Sequence, residues 1–357
     1  MWTETNQHAD VLFKSIGEMR DLGIGKTIGI MTLNMDHMDA ALTKRLVNEG
    51  VDTLLCVAED EPAFEPADGM KYYTVANGTK AVEAVDAFVI YDPFYWHCFQ
   101  RVGTTTALNR AVSEKDVPIV PFNRNAERYP LLPSDYLEGR SVDEVRSDSV
   151  IWQYARRSGL EGGYAEFGTW FGRMFNKNML LFKDLFKGDF HAFDSFGGLP
   201  KPRPDEEAYS ANDFIEGRYF CNEASFRAIS NFSFNEADLD KRIKITKGFY
   251  SDTLDGHTIA DYGIKERSIS FCVIDCDLYD GTKSVLEFIT PALQDGAILY
   301  FDDYRLGRAA RKASEYHAMR EWLRDNPDFD VLDLHRDHWQ HQYLIFNRLW
   351  DGDAPGQ

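Results

Sequence analysis

Gly163-Tyr164-Ala165-Glu166-Phe167-Gly168-Thr169-Trp170-Phe171-Gly172 is the stretch of the 357-residue chain whose reading decides the fold class. Five strand-like residues run into a turn bounded by glycines, and an apolar-periodic segment, 173–186, follows. Strand, glycine turn and helix in that order begin a βαβ unit, which belongs in a parallel sheet covered by helices. Glycine lets the backbone turn tightly and approach a ligand closely. A carboxylate at the strand end, Glu166, accepts from an ammonium group and repels a pyrophosphate. Glu166, Gly168 and Gly172 together suit the methionine half of S-adenosylmethionine, although a glycine turn alone also fits a strand–helix connection with no ligand.

Working outward, a helix over 142–157 precedes this unit and a strand over 189–193 follows it. That strand ends in Asp194-Ser195-Phe196. An acidic residue at the end of the second strand is placed to bind ribose hydroxyls, and capping the next turn is its ordinary alternative. Residues 197–222 are long for a connection and contain Pro200, Pro202 and Pro204, which reads as a lid over a site. Helices over 223–229, 282–293 and 308–324 then alternate with strands over 243–246, 270–276 and 297–301, before two late strands near Phe329 and Tyr343. The pattern predicts a doubly wound α/β sheet with ligands beyond the C-terminal strand ends.

Two of those ends are acidic: Asp275-Cys276-Asp277-Leu278-Tyr279 and Asp302-Asp303-Tyr304. The strand period of two puts Asp275 and Asp277 on one face. Four carboxylates at one sheet edge repel unless a cation sits among them; otherwise they are separate turn caps. Oxygen donors alone suit magnesium.

The N-terminal part alternates too, with strands over 27–33, 52–58, 86–91 and 118–121 and helices over 40–48 and 104–113, so a smaller α/β auxiliary domain is expected over 1–135 and the main domain over 140–357. The aromatic run from Tyr91 to His97, read as a loop after a strand, points to a homo-oligomer contact. With 58 acidic against 39 basic residues the net charge is −19, which argues against nucleic acid and anionic membranes as partners. No apolar run approaches the ~18 residues that span a bilayer, and the start does not read as a secretory signal, so a cytoplasmic location is expected. Five cysteines form no Cys-x-x-Cys pair. Gly23-Ile24-Gly25-Lys26-Thr27 precedes a strand and lacks the first glycine of a phosphate loop. His335, His338 and His341 match no zinc spacing.

Five motifs in order, Glu166-x-Gly168-x-x-x-Gly172, Phe193-Asp194-Ser195-Phe196-x-Gly198-Leu199-Pro200, Lys247-Gly248-Phe249-x-x-Asp252-Thr253-Leu254, Asp275-x-Asp277-Leu278-Tyr279 and Asp302-Asp303-Tyr304, resemble the macrocin O-methyltransferase family over about residues 161–346. The resemblance implies a Rossmann-like class I methyltransferase that uses S-adenosylmethionine and Mg2+ to methylate sugar hydroxyls of glycosylated natural products. It implies cofactor contacts from Glu166, Gly168, Thr169, Gly172, Asp194, Ser195, Asp252 and Asp275. It implies metal ligation by Asp275, Asp302 and Asp303, and proton abstraction by Asp277, a role that a nearby histidine takes in other members. Aromatics at Tyr209, Phe214, Tyr219, Phe220 and Trp339 are candidates to stack on the acceptor. A catechol acceptor satisfies the metal argument equally well. A nicotinamide-dependent sugar dehydrogenase or epimerase would show Gly-x-Gly-x-x-Gly after a strand and Tyr-x-x-x-Lys, and neither stands in a suitable context. Intact motifs argue against a non-catalytic binding protein.

Overall fold

The computed structural model describes residues 5–33, 35, 38–58, 65–91, 95–121, 142–204, 214–234, 241–306 and 314–349. The N-terminal part forms a parallel sheet of β1 (Ile28–Thr32), β2 (Thr53–Cys56), β3 (Lys71–Thr74), β4 (Ala87–Ile90) and β5 (Ile119–Pro121), in the order β3-β2-β1-β4-β5. Helices α1 (Thr5–Asp21), α2 (Ala40–Asn48), α3 (Gly78–Ala84), α4 (Tyr95–Thr104) and α5 (Thr106–Lys115) accompany it. The helix expected over 104–113 is α5, and the run read as a loop up to His97 instead enters a helix of its own, α4, which ends at Thr104. Tyr91 is fully buried in this first core, so the ring expected in an exposed contact packs inside its own chain.

The second sheet contains β6 (Gly163–Phe167), β7 (Phe190–Asp194), β8 (Ile243–Lys247), β9 (Ile269–Ile274), β10 (Leu293–Phe301), β11 (Phe329–His335) and β12 (Gln342–Arg348). Its order is β11-β12-β10-β9-β6-β7-β8. Strand β12 runs antiparallel to both neighbours and the other pairs are parallel. Every residue of β6, β7 and β9 is buried, as helices on both faces of a parallel sheet require. The helices are α6 (Val142–Arg157), α7 (Arg173–Phe182), α8 (Glu223–Phe234), a single turn α9 (Tyr250–Thr253), α10 (Tyr279–Ile289) and α11 (Glu315–Asp325). Helix α11 starts later than the expected 308, because Ser314 caps it by accepting the His317 N–H; residues 307–313 lie outside the described ones.

Strand order reverses between β6 and β9, the switch point at which doubly wound sheets bind ligands. The register aligns Phe193, Phe167, Ile274 and Phe301 across β7, β6, β9 and β10. The residues one step further, Asp194, Gly168, Asp275 and Asp302, therefore form a row along the C-terminal edge. With strands ~4.8 Å apart, Asp194 and Asp275 sit roughly 10 Å from each other.

Helix α8 serves both sheets. Phe226 packs against Phe175 and Phe196 in the second core, and Ala228 and Ile229 join the first. Two polar ties accompany it: the Ile119 N–H donates to Ser225 Oγ at 2.7 Å, and Asn222 Nδ2 donates to the Val117 carbonyl at 2.9 Å. The boundary expected between 135 and 140 lies outside the described residues. No helix among the described residues is long and apolar enough to cross a membrane.

Candidate active site

A cleft of about 1140 Å³ opens along this edge, lined in part by Gly168, Asp194, Ser195, Asp275, Asp277 and Asp303. Single-ligand pockets span roughly 300–1,000 Å³, so the cleft has room for a donor and an acceptor side by side. Six non-glycine residues among the described ones have left-handed backbone, and three of them, Trp170, Tyr219 and Asp277, line the cleft; a fourth, Phe196, directly follows Ser195. Such strain gathers where function over-determines the backbone.

Asp277 (φ 59°) corrects the account of how the two aspartates come together. Strand β9 stops at Ile274, so strand alternation does not pair Asp275 with Asp277; the turn after the strand does. Asp275, Asp277 and Asp303 form a trio with one carboxylate oxygen from each within 4.8 Å of the others. Burial pushes all three carboxyls well up, and the charges of the neighbouring carboxylates add to this at each of them. Asp277 and Asp303 answer by sharing a hydrogen bond. Carboxylates crowded in this way hold a proton or a cation, and an all-oxygen donor set fits a hard divalent ion. Asp302 stands apart from the trio: the Tyr300 hydroxyl donates to its carboxylate, and His341 Nε2 is 3.3 Å away. His341 Nδ1 is in turn 2.9 Å from Asp337. Behind the trio lies Glu315, fully buried, which sequence reasoning missed because it placed the residue inside a longer helix.

On the other side of Gly168 a smaller cavity of about 220 Å³ is lined by Glu166, Thr169, Arg173, Lys177, Asp302 and His341, among others. Glu166 is buried and accepts the Tyr164 hydroxyl, which also receives Asn178 Nδ2 at 2.9 Å. Burial pushes its carboxyl up to about 8, against the opposing pull of Tyr164 and Lys177. Gly168 is indispensable for a reason the sequence did not disclose: a Cβ there would lie 1.8 Å from the Asp275 carbonyl oxygen, and φ is +87°. The close approach is to the neighbouring strand end, and it locks the glycine turn to the acidic loop. Gly172, at φ +82°, abuts Phe226 in the same way.

Asp194 is buried, its two oxygens accepting the Trp170 N–H at 2.9 Å and the Phe196 N–H at 2.7 Å. Burial raises its carboxyl to about 6. It thus caps the turn as well as facing the cleft. Thr169 Oγ1 is 3.5 Å from it, and Ser195 Oγ donates to the Gly198 carbonyl at 2.8 Å. Asp252 is exposed in α9 and absent from the cleft lining, whereas Ser251 and Asp255 are present. Carboxylates at Glu166, Asp194 and Asp275 make the edge suit a sulfonium and ammonium ligand better than a pyrophosphate. Of the aromatics expected to stack, Phe214, Tyr219 and Trp339 line the cleft, Phe220 is buried in the first core, and Tyr209 lies outside the described residues. His335 pairs with Ser147 at 2.7 Å, away from His341 and its aspartates.

Sheet order, switch point and acid-edged cleft define a class I methyltransferase fold. A profile of the macrocin-O-methyltransferase (TylF) family matches residues 143–340, which is 198 of 357, and the chain belongs to that family. It is accordingly an S-adenosylmethionine-dependent O-methyltransferase. Among solved structures, the O-methyltransferase NovP is 19% identical with a TM-score of 0.42, covering 59% of this chain and 81% of its own. The calicheamicin methyltransferase CalS11 is 19% identical with a TM-score of 0.46, covering 70% and 93%. An O-methyltransferase from Bacillus cereus in complex with SAH is 14% identical with a TM-score of 0.38, covering 67% and 96%. No curated protein matches the chain.

Proposed function

We propose that the enzyme methylates a hydroxyl of a sugar or glycosylated small molecule, with magnesium held at the acidic cluster. The observation that carries this reading is the trio Asp275, Asp277 and Asp303 on the lining of a cleft large enough for two ligands. When bound, S-adenosylmethionine supplies an electrophilic methyl group and magnesium a Lewis acid that acidifies a hydroxyl beside it. Asp275 and Asp303 are ligands in this reading, with Asp302 joining once its carboxylate leaves Tyr300 and His341. Asp277, freed from the proton it shares with Asp303, takes the acceptor proton. Glu166 receives the donor's ammonium, Asp194 its ribose, and the turn residues Gly168, Thr169 and Gly172, with Ser195, shape the path between. Asp252 has the least support of the proposed contacts, being exposed. The rest of the chain mainly positions the reacting pair.

Residues 1–135 act as an auxiliary domain and 140–357 as the methyltransferase domain in this proposal. A cytoplasmic location and a small-molecule acceptor, with neither nucleic acid nor membrane as partner, accord with the net charge of −19. Homo-oligomerisation belongs to the proposal too, although Tyr91 no longer supports it; a monomer by light scattering at micromolar concentration removes it.

The test is a product screen with methyl-deuterated S-adenosylmethionine against glycosides and nucleotide sugars beside dihydroxyphenyl compounds. A trideuteromethyl ether on a sugar hydroxyl is the expected result. Labelling of a simple catechol with no sugar labelled overturns the acceptor assignment.

A further inference from the structure

Asp275, Asp277 and Asp303 belong to two different loops, and a cluster with oxygens within 4.8 Å of one another needs those loops held at a fixed separation. The hydrogen bond between Asp277 and Asp303 cannot do this, since it involves the side chains that must rearrange around a cation. Glu315 is placed to do it. It is the first residue of α11, with no exposed surface. Its Oε1 accepts the Cys276 N–H at 3.2 Å, in the middle of the Asp275–Asp277 loop. Its Oε2 accepts the Asp303 N–H at 2.9 Å, in the other loop. One carboxylate therefore bridges the backbones of both acidic loops without pointing into the cleft, of whose lining it is no part.

A buried carboxylate next to other carboxylates is costly, so its retention asks for a reason. Two converging backbone donors supply one. Only a group with two acceptor oxygens satisfies both; a glutamine of the same shape would turn an NH2 donor towards one of the N–H groups. Aspartate keeps both acceptors on an arm one methylene shorter. Ser314 caps the same helix turn and fixes where Glu315 begins.

We propose that Glu315 is a positioning residue that sets the spacing of the two acid loops and thereby the affinity of the site for a divalent cation. The cation part rests on the magnesium reading above. The test titrates Mg2+ into wild-type enzyme, Glu315→Gln and Glu315→Asp by calorimetry, with S-adenosylhomocysteine affinity and steady-state kinetics measured alongside. Residues that orient metal ligands typically change metal affinity about 10- to 100-fold. A loss of that size is expected in Glu315→Gln, with S-adenosylhomocysteine affinity kept within about twofold and a smaller loss in Glu315→Asp. Unchanged Mg2+ affinity in Glu315→Gln overturns the proposal, and so does an equal loss of metal and S-adenosylhomocysteine binding. If Glu315→Gln does not fold, Glu315→Asp decides by the same criteria. If the wild type binds no Mg2+, the magnesium reading fails, and the latch is judged by kinetics: a lower kcat in Glu315→Gln at unchanged KM for S-adenosylmethionine supports it, and wild-type kcat overturns it.

Discussion

Asp277 and Asp302 are neighbours in space with different expected fates. Asp277 shares a hydrogen bond inside the trio, while Asp302 is tied to Tyr300 and His341. If Asp277 is the base, Asp277→Asn lowers kcat by about 10²–10⁴ and leaves Mg2+ and S-adenosylhomocysteine binding intact. Loss of Mg2+ affinity in that variant would make Asp277 a ligand instead. Wild-type turnover would move the base to His341, 3.3 Å from Asp302. Asp302→Ala is expected to lose Mg2+ affinity and activity together, as a ligand would; full Mg2+ affinity in calorimetry would leave the trio as the whole donor set. Residue identities at the edge were legible in the sequence because each acid ends a strand or stands just past its end. Their duties were less so: the backbone bonds to Asp194 and the contact of Gly168 with Asp275 depend on neighbours brought up by the sheet register.

At the scale of elements, the central strands were read well because they are mostly apolar runs, as strands buried along their whole length are. Four elements of the N-terminal part escaped, among them α4, whose first residues read as a loop. Strand β3 is a half-buried edge strand, Lys71–Thr74, with no apolar run to announce it. Helix α1 precedes the first strand, and α3 is only seven residues long. The double duty of α8 was also invisible, because a helix's apolar positions do not say which sheet they face. That duty is testable. Ser225→Ala leaves the Ile119 N–H buried without its partner, and an unsatisfied buried donor costs about 1–3 kcal/mol. Urea unfolding is expected to show a loss of that size; wild-type stability would mean that the tie between α8 and β5 contributes nothing.

For the molecule as a whole, the two parallel sheets have separate topologies, yet one core crosses from the first into the second through Phe171, Phe220 and α8. Sequence reading separated the two sheets but gave no hint of this sharing, since it rests on contacts between residues about a hundred positions apart. The cleft wall that carries Tyr219 continues directly into the buried Phe220, so the core of the N-terminal sheet braces that wall of the cleft. Everything proposed for the chemistry converges on one requirement, that methyl transfer to a hydroxyl depends on a divalent cation held by the acidic loops. The direct measurement follows deuterated methyl transfer to a sugar acceptor by mass spectrometry, in EDTA and after Mg2+ is restored. The account predicts loss of product in EDTA and recovery with Mg2+. Undiminished transfer to the same hydroxyl in excess chelator would contradict it.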